Sequence, residues 1–106
     1  TQFTMEQPFY LDRLRTQDLE PRVPKASSRS VINGIIFDEL CKGIVSEEST
    51  DTLVKVATDL AFDGADSLIL GCTEICMLLR KDNTPLPVFD TTAIHCKAIL
   101  EAAWEC

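Results

Sequence analysis

A chain of 106 residues with a formal net charge of −7 can bury one modest hydrophobic core, and it has no cationic cluster of the kind that nucleic acid or an anionic membrane surface requires. Its apolar runs fall well short of the roughly 18 residues that cross a bilayer, which excludes a transmembrane helix. Five cysteines, at positions 41, 72, 76, 96 and 106, are an odd number scattered through apolar patterns with no signal peptide ahead of them, and they fit a reducing, cytoplasmic compartment better than a disulfide scaffold.

The chain opens without methionine on Thr1-Gln2-Phe3-Thr4, a turn-like start that reads as if the preceding strand had been cut away. Residues 1–106 are therefore expected to form a single partial domain. Phe9, Tyr10 and Leu14 recur at near-helical spacing within Thr4 to Gln17. Thr4 and Gln7 are placed as a capping box, but Pro8 also suits the first turn of a helix, and both starts stay open. Leu19 to Val23 reads as a short strand, demoted to a sheet edge by Pro21 and Pro24. Ser27 or Ser28 can cap the next helix, in which Ile32, Ile36 and Leu40 form one row flanked by Val31 and Ile35, and Gly43 ends it. Ser46 caps a further helix with Glu47 and Glu48 in its first turn and a stripe of Leu53, Val56, Ala57, Leu60 and Ala61; Gly64 stops it.

Ser67 to Leu70 reads as a strand covered on both faces that ends at Gly71 and delivers Cys72 to a helix reaching about Leu79. Arg80 to Pro85 is a polar loop, Leu86 to Phe89 a second buried strand. Asp90 or Thr91 caps a last helix with the stripe Cys96, Ile99, Leu100, Ala103 and Trp104. Strands alternating with amphipathic helices indicate an α/β fold, a parallel sheet with helices on both sides. The sequence has no internal repeat and no low-complexity segment.

A thiol between a strand end and a helix start meets unpaired N–H groups and the positive end of the helix dipole, which favours thiolate. Cys72 at this position is a candidate nucleophile or base. A buried structural cysteine in a βα turn is the competing reading, because free cysteine is among the most buried residue types.

Four segments carry a resemblance that spacing alone does not. Gly71-Cys72-Thr73-Glu74-Ile75 resembles the second cysteine motif of the aspartate/glutamate racemase family, and Asp90-Thr91-Thr92-Ala93-Ile94-His95 resembles the Asp-Thr-Thr-x-x-His segment of its aspartate branch. Thr1-Gln2-Phe3-Thr4-Met5 is similar to the Thr-x-x-Thr-Met turn, and Ile35 to Gly43 to the helix that ends in Lys-Gly. The matches fall in order and span nearly the whole chain. They imply a Rossmann-like α/β/α lobe, incomplete, one of the two lobes of a racemase that works without pyridoxal phosphate or any other cofactor. In that family two cysteines flank the substrate Cα, one from each lobe. Cys72 matches the second; the first belongs to an N-terminal half not contained in this chain. The resemblance further implies that His95 polarises or orients the Cys72 thiol. It also implies that Thr73, Glu74, Lys42, Thr1 and Thr4 surround the substrate, Lys42 by binding a carboxylate. Glu74 stands where glutamate racemases carry histidine, which favours the aspartate branch.

No other cysteine is expected to replace the missing one. Cys76, four residues along the same expected helix, lies on the same side as Cys72 at roughly 5 to 6 Å. Cys41 and Cys96 read as packed small hydrophobes, and Cys106 as a mobile terminus. A metal site of Cys72, Cys76, His95 and Cys96 has poor spacing, since His95 and Cys96 point about 100° apart on a helix. A Cys72–Cys76 redox pair lacks the Cys-x-x-Cys motif. By composition and spacing His95 is equally a structural histidine, and Lys42 a solvated helix-end lysine. The expected function is the C-terminal half of a racemase for a small acidic amino acid, inactive without an N-terminal lobe or a second copy. The alternative is a non-catalytic binding or interaction module derived from the same fold.

Overall fold

The computed structural model describes residues 1–105; the expectation for Cys106 lies outside the described residues. The chain is a mixed α/β structure of five helices and a two-stranded parallel sheet. Helix α1, Gln2–Glu6, starts one turn earlier than the capping-box reading, because Thr1 is its cap and accepts from the Thr4 N–H. Helix α2, Pro8–Arg15, carries Pro8 in its first turn, where the missing N–H costs no hydrogen bond.

Residues 19–25 form no regular element, so the expected strand at Leu19 to Val23 is corrected. No neighbouring strand pairs with it in the sheet, and an unpaired strand satisfies none of its own backbone groups. Helix α3, Ala26–Gly34, begins one residue before the expected caps. Its cap position is Lys25, with no side-chain bond. Nearby, the Arg29 guanidinium donates to the Pro24 carbonyl at 2.6 Å. The helical path continues through a π-turn, Ile35–Glu39, and a 3₁₀ turn, Leu40–Lys42. It stops at Gly43, whose φ of 77° is left-handed and suits glycine.

Helix α4, Glu47–Phe62, is capped by Ser46, which accepts from the Ser49 N–H. The Glu39 carboxylate accepts from the Ser49 hydroxyl at 2.6 Å and ties the π-turn to the start of α4. Ile32, Ile36 and Leu40 of the first row are buried, as are Leu53 and Ala57 of the second. With Ile35, Leu70, Leu78 and Leu79 most of them form one core cluster, each large side chain contributing about 1.5–3 kcal/mol on burial.

Strand β1, Leu68–Leu70, pairs in parallel with β2, Val88–Asp90, in the register Leu68 to Val88, Ile69 to Phe89 and Leu70 to Asp90. The second strand starts two residues later than expected and ends one residue later, because Pro87 has no N–H and serves the ladder only through its carbonyl, which accepts from the Leu68 N–H at 2.8 Å. The expectation that the first strand is covered on both faces is also corrected. Leu70 is buried, whereas Ile69 and Phe89, which share the other face, are 37% and 49% exposed. Helix α5, Thr91–Trp104, is capped by Asp90, which accepts from the Thr92 and Ala93 N–H groups. Its apolar residues Ile94, Ile99, Leu100 and Trp104 are all exposed. Among the described residues no helix is long and apolar enough to cross a membrane.

Candidate active site

The residues after β1 do not form the expected helix. Cys72 occupies a bend, Thr73 and Glu74 a turn, and a single 3₁₀ turn follows at Ile75–Met77. Asn83 ends it: its amide donates to the Leu78 carbonyl at 2.7 Å, and its side-chain oxygen accepts from the Arg80 N–H at 2.8 Å. Three residues of 3₁₀ helix give no macrodipole of the size a long helix supplies. The sulfur instead meets one local donor, the Ile75 N–H, at 3.4 Å from Cys72 Sγ.

The two thiols of the turn differ in kind. Burial first, and then the Asp90 carboxylate, push the Cys76 thiol up, with Cys72 and Glu74 adding to the effect. Cys76 accordingly remains a thiol at neutral pH and donates to the Thr73 carbonyl at 3.1 Å. Cys72 accepts where Cys76 donates. Both pack half-buried against the core. Cys41 and Cys96, expected as packed hydrophobes, are exposed free thiols instead. Cys41 sits in the solvent-facing last turn before Gly43, and Cys96 lies on the uncovered helix α5.

A cavity of about 740 Å³ opens beside Cys72, and Thr1, Thr4 and Thr91 also line it. The Thr1 and Thr4 hydroxyls lie 3.2 Å apart. They are held there because α1 is fastened to α3: the Gln2 N–H donates to Asn33 Oδ1 at 3.0 Å, and Arg29 Nε pairs with Glu6 at 3.1 Å. Hydrogen bonds from Gln2 first, and from Arg29, hold the Glu6 carboxyl below its usual range.

From the sequence Thr91 reads only as a helix cap. In the structure Asp90 takes that role, which frees the Thr91 hydroxyl to donate to the Leu70 carbonyl at 2.7 Å. The structure thus brings Cys72, Thr1 and Thr4 together around one cavity and adds Thr91. Thr73, Glu74, Lys42 and His95 do not line it. Thr73 and Glu74 form the turn itself, and Lys42 and His95 are exposed. Neither the Lys42 nor the His95 side chain has an ion pair among the described residues. Likewise, among those residues no three His, Cys, Asp or Glu side chains gather in a way that could hold a metal ion.

In this α/β lobe a free cysteine, Cys72, follows the carboxyl end of a parallel strand, the edge at which open α/β sheets bind their ligands. The comparisons assign the family. A profile described as Asp/Glu/Hydantoin racemase matches residues 1–99, and the chain belongs to that family. Two solved structures superpose on it. A Yersinia pestis protein assigned to the Asp/Glu racemases matches with a TM-score of 0.90 and 43% identity over 96% of this chain and 45% of its own. An aspartate racemase homologue from Pyrococcus horikoshii OT3 matches with a TM-score of 0.88 and 31% identity over 97% and 45%. The chain thus spans less than half the length of the solved structures it matches.

Proposed function

We propose that the chain is the C-terminal, Cys72-bearing half of a cofactor-independent racemase for a small acidic amino acid, aspartate before glutamate. The observation that carries this reading is Cys72 Sγ, an acceptor at the strand end, sharing a cavity with the Thr1, Thr4 and Thr91 residues. As thiolate, Cys72 takes the Cα hydrogen as a proton and leaves the electron pair on Cα, delocalised into the carboxylate. A thiol on the opposite face then gives its proton to Cα, and the product is the other enantiomer. The two steps need two sulfurs on opposed faces. Cys76 shares the Cys72 turn and is held as a donor, and Cys41 and Cys96 stand at exposed positions. The second sulfur therefore comes from an N-terminal lobe or a partner copy, in the reducing cytoplasm that keeps both thiols free.

Incubating the purified chain with L-aspartate at a dilution where it is monomeric, and assaying the D-enantiomer, tests the dependence on a sulfur from outside the chain. No turnover above buffer is expected. Turnover that disappears in Cys72→Ser overturns it. The alternative, a non-catalytic interaction module, draws support from one observation: Lys42 and His95, which the racemase reading wants near substrate, lie outside the cavity lining.

A further inference from the structure

Cys76 has no part in the proton transfer, yet it shares one turn with Cys72. Cys72 Sγ lies 3.4 Å from the Ile75 nitrogen whose proton it accepts, and Cys76 Sγ lies 3.1 Å from the Thr73 carbonyl oxygen to which it donates. Those two backbone atoms belong to adjoining peptide groups, one on either side of Glu74. Both sulfurs are therefore anchored to the same short piece of backbone. In an α-helix, residues four apart are held with their Cβ atoms roughly 5–6 Å apart, beyond the roughly 3.5–4.5 Å that a disulfide needs. That helix does not form. The 3₁₀ turn closes with the Met77 N–H on the Glu74 carbonyl at 3.0 Å, and Cys72 and Thr73 precede it in a bend and a turn. A Cβ added at Gly71 would meet nothing within 4 Å, so open space lies beside the backbone that leads into Cys72. Joining the two sulfurs takes a local movement of residues 71–73, between the buried Leu70 and Leu78.

The two thiols also suit opposite parts in an oxidation. Cys72 lines the cavity, so a small oxidant reaches it, and its sulfur is already an acceptor. Cys76 lies outside the lining. Burial, and then the Asp90 carboxylate, keep it protonated, so it stays a thiol while Cys72 reacts. We propose that Cys72 and Cys76 form a peroxide-responsive pair, in which Cys72 is oxidised first and Cys76 then captures it as a reversible disulfide that withdraws Cys72 from proton transfer. In the first step the Cys72 thiolate attacks one oxygen of hydrogen peroxide, the O–O bond breaks, and the products are Cys72 sulfenic acid and hydroxide. In the second the Cys76 sulfur attacks the Cys72 sulfur, the S–O bond breaks, and the Cys76 proton leaves with the hydroxyl group as water. The two sulfurs together give up two electrons, and the peroxide takes them. A small cellular thiol returns the pair to two free cysteines by exchange. The pairing itself stands on the turn; its consequence, the loss of the Cys72 base, rests on the proposed racemase function.

Peptide mapping of the peroxide-treated chain tests the pair directly, because no Lys or Arg falls between Lys55 and Arg80 and trypsin releases both sulfurs in one peptide. Hydrogen peroxide added to the folded chain should make this peptide lighter by two hydrogens and close both sulfurs to iodoacetamide, and dithiothreitol should restore both. In Cys76→Ser the sulfenic acid has no capturing partner. Dimedone, which traps sulfenic acid, should then label Cys72 at least about tenfold more than in the parent chain. Cys76→Ala repeats the measurement without a new hydroxyl group and should give the same increase. A peptide of unchanged mass with both sulfurs open to alkylation overturns the proposal. So does Cys72 carrying added oxygen in the parent while Cys76 stays free, or Cys72 joined to Cys41 or Cys96 instead. Equal dimedone labelling in the parent and both variants overturns it too. Racemase turnover of a two-lobed form is a separate readout: a disulfide that forms where no turnover is ever found keeps the pair and removes the racemase reading, and an active enzyme whose Cys76 never joins Cys72 does the reverse.

Discussion

The Thr91 hydroxyl donates to the Leu70 carbonyl at 2.7 Å, which ties the first turn of α5 to the end of β1 two residues before Cys72. Removing the donor takes one hydrogen bond from the carbonyl of a buried residue, at a cost of about 0.5–1.5 kcal/mol. Thr91→Val should therefore lower the unfolding free energy by that amount and shift the denaturation midpoint down, and Thr91→Ser, which keeps the hydroxyl, should recover most of it. Equal midpoints for Val and Ser would remove the hydrogen bond from the account.

The two thiols of the Cys72–Cys76 turn should separate by pH. Because the Cys76 thiol is pushed up by burial and by Asp90, and iodoacetamide reacts with thiolate, Cys72 should be alkylated ahead of Cys76 near neutral pH. Cys76 should follow only above the ordinary thiol range. The sign for stability agrees: a thiol raised in the folded state adds stability that is fully present below its unfolded pKa of about 8.5 and is lost as pH rises through the folded value. Peptide mapping after limited alkylation at several pH values checks the order, and Cys76 reacting first at neutral pH contradicts it.

Helix α5 offers a test of incompleteness. Ile99 and Leu100 are more than half exposed and Trp104 is 86% exposed, three large apolar side chains on one side of the helix, more than scattered surface residues make. The isolated chain should self-associate in sedimentation experiments, and the double substitution Leu100→Glu with Trp104→Glu should return it to monomer. A monomeric parent chain with a blue-shifted, quencher-protected Trp104 would contradict this.

Much of the frame was legible because it rests on local rules. The row Ile32, Ile36 and Leu40, the Ser46 cap, the stop at Gly43 and the Asp90 cap are each set by side chains within a turn or two, and periodicity reads such features directly. What escaped depends on partners distant in sequence. Leu19 to Val23 has strand composition, but a strand exists only with a neighbour. The helix after Cys72 gave way to one 3₁₀ turn because Asn83, several residues on, captures the Leu78 carbonyl. Cys41 and Cys96 lie next to apolar stripes, yet one faces solvent and the other sits on a helix with nothing packed over it. Thr91 was hidden by ambiguity with Asp90, since either residue type can cap a helix.

The proposed racemase reading assigns substrate choice to Lys42, which stands exposed outside the cavity lining. If the second lobe closes over it, its ammonium meets the second carboxylate of aspartate, and a charge-assisted bond of that kind is worth about 1.5–3 kcal/mol. In a two-lobed chain Lys42→Leu should then lower kcat/KM for aspartate at least about tenfold and leave alanine or serine nearly unchanged. Equal loss on acidic and neutral substrates would assign Lys42 to stability, and no loss on either would leave it a surface residue.

The central claim is that Cys72 exchanges a proton with the substrate Cα. It is tested most directly in a chimera in which residues 1–105 of this chain replace the matched 45% of the Yersinia pestis protein, assayed for conversion of L-aspartate to D-aspartate with and without Cys72→Ser. The account predicts turnover by the parent chimera and a loss of at least about 10²-fold in Cys72→Ser. A folded chimera that turns over equally well without the Cys72 sulfur, or that never turns over while Cys72 remains open to alkylation, would contradict it.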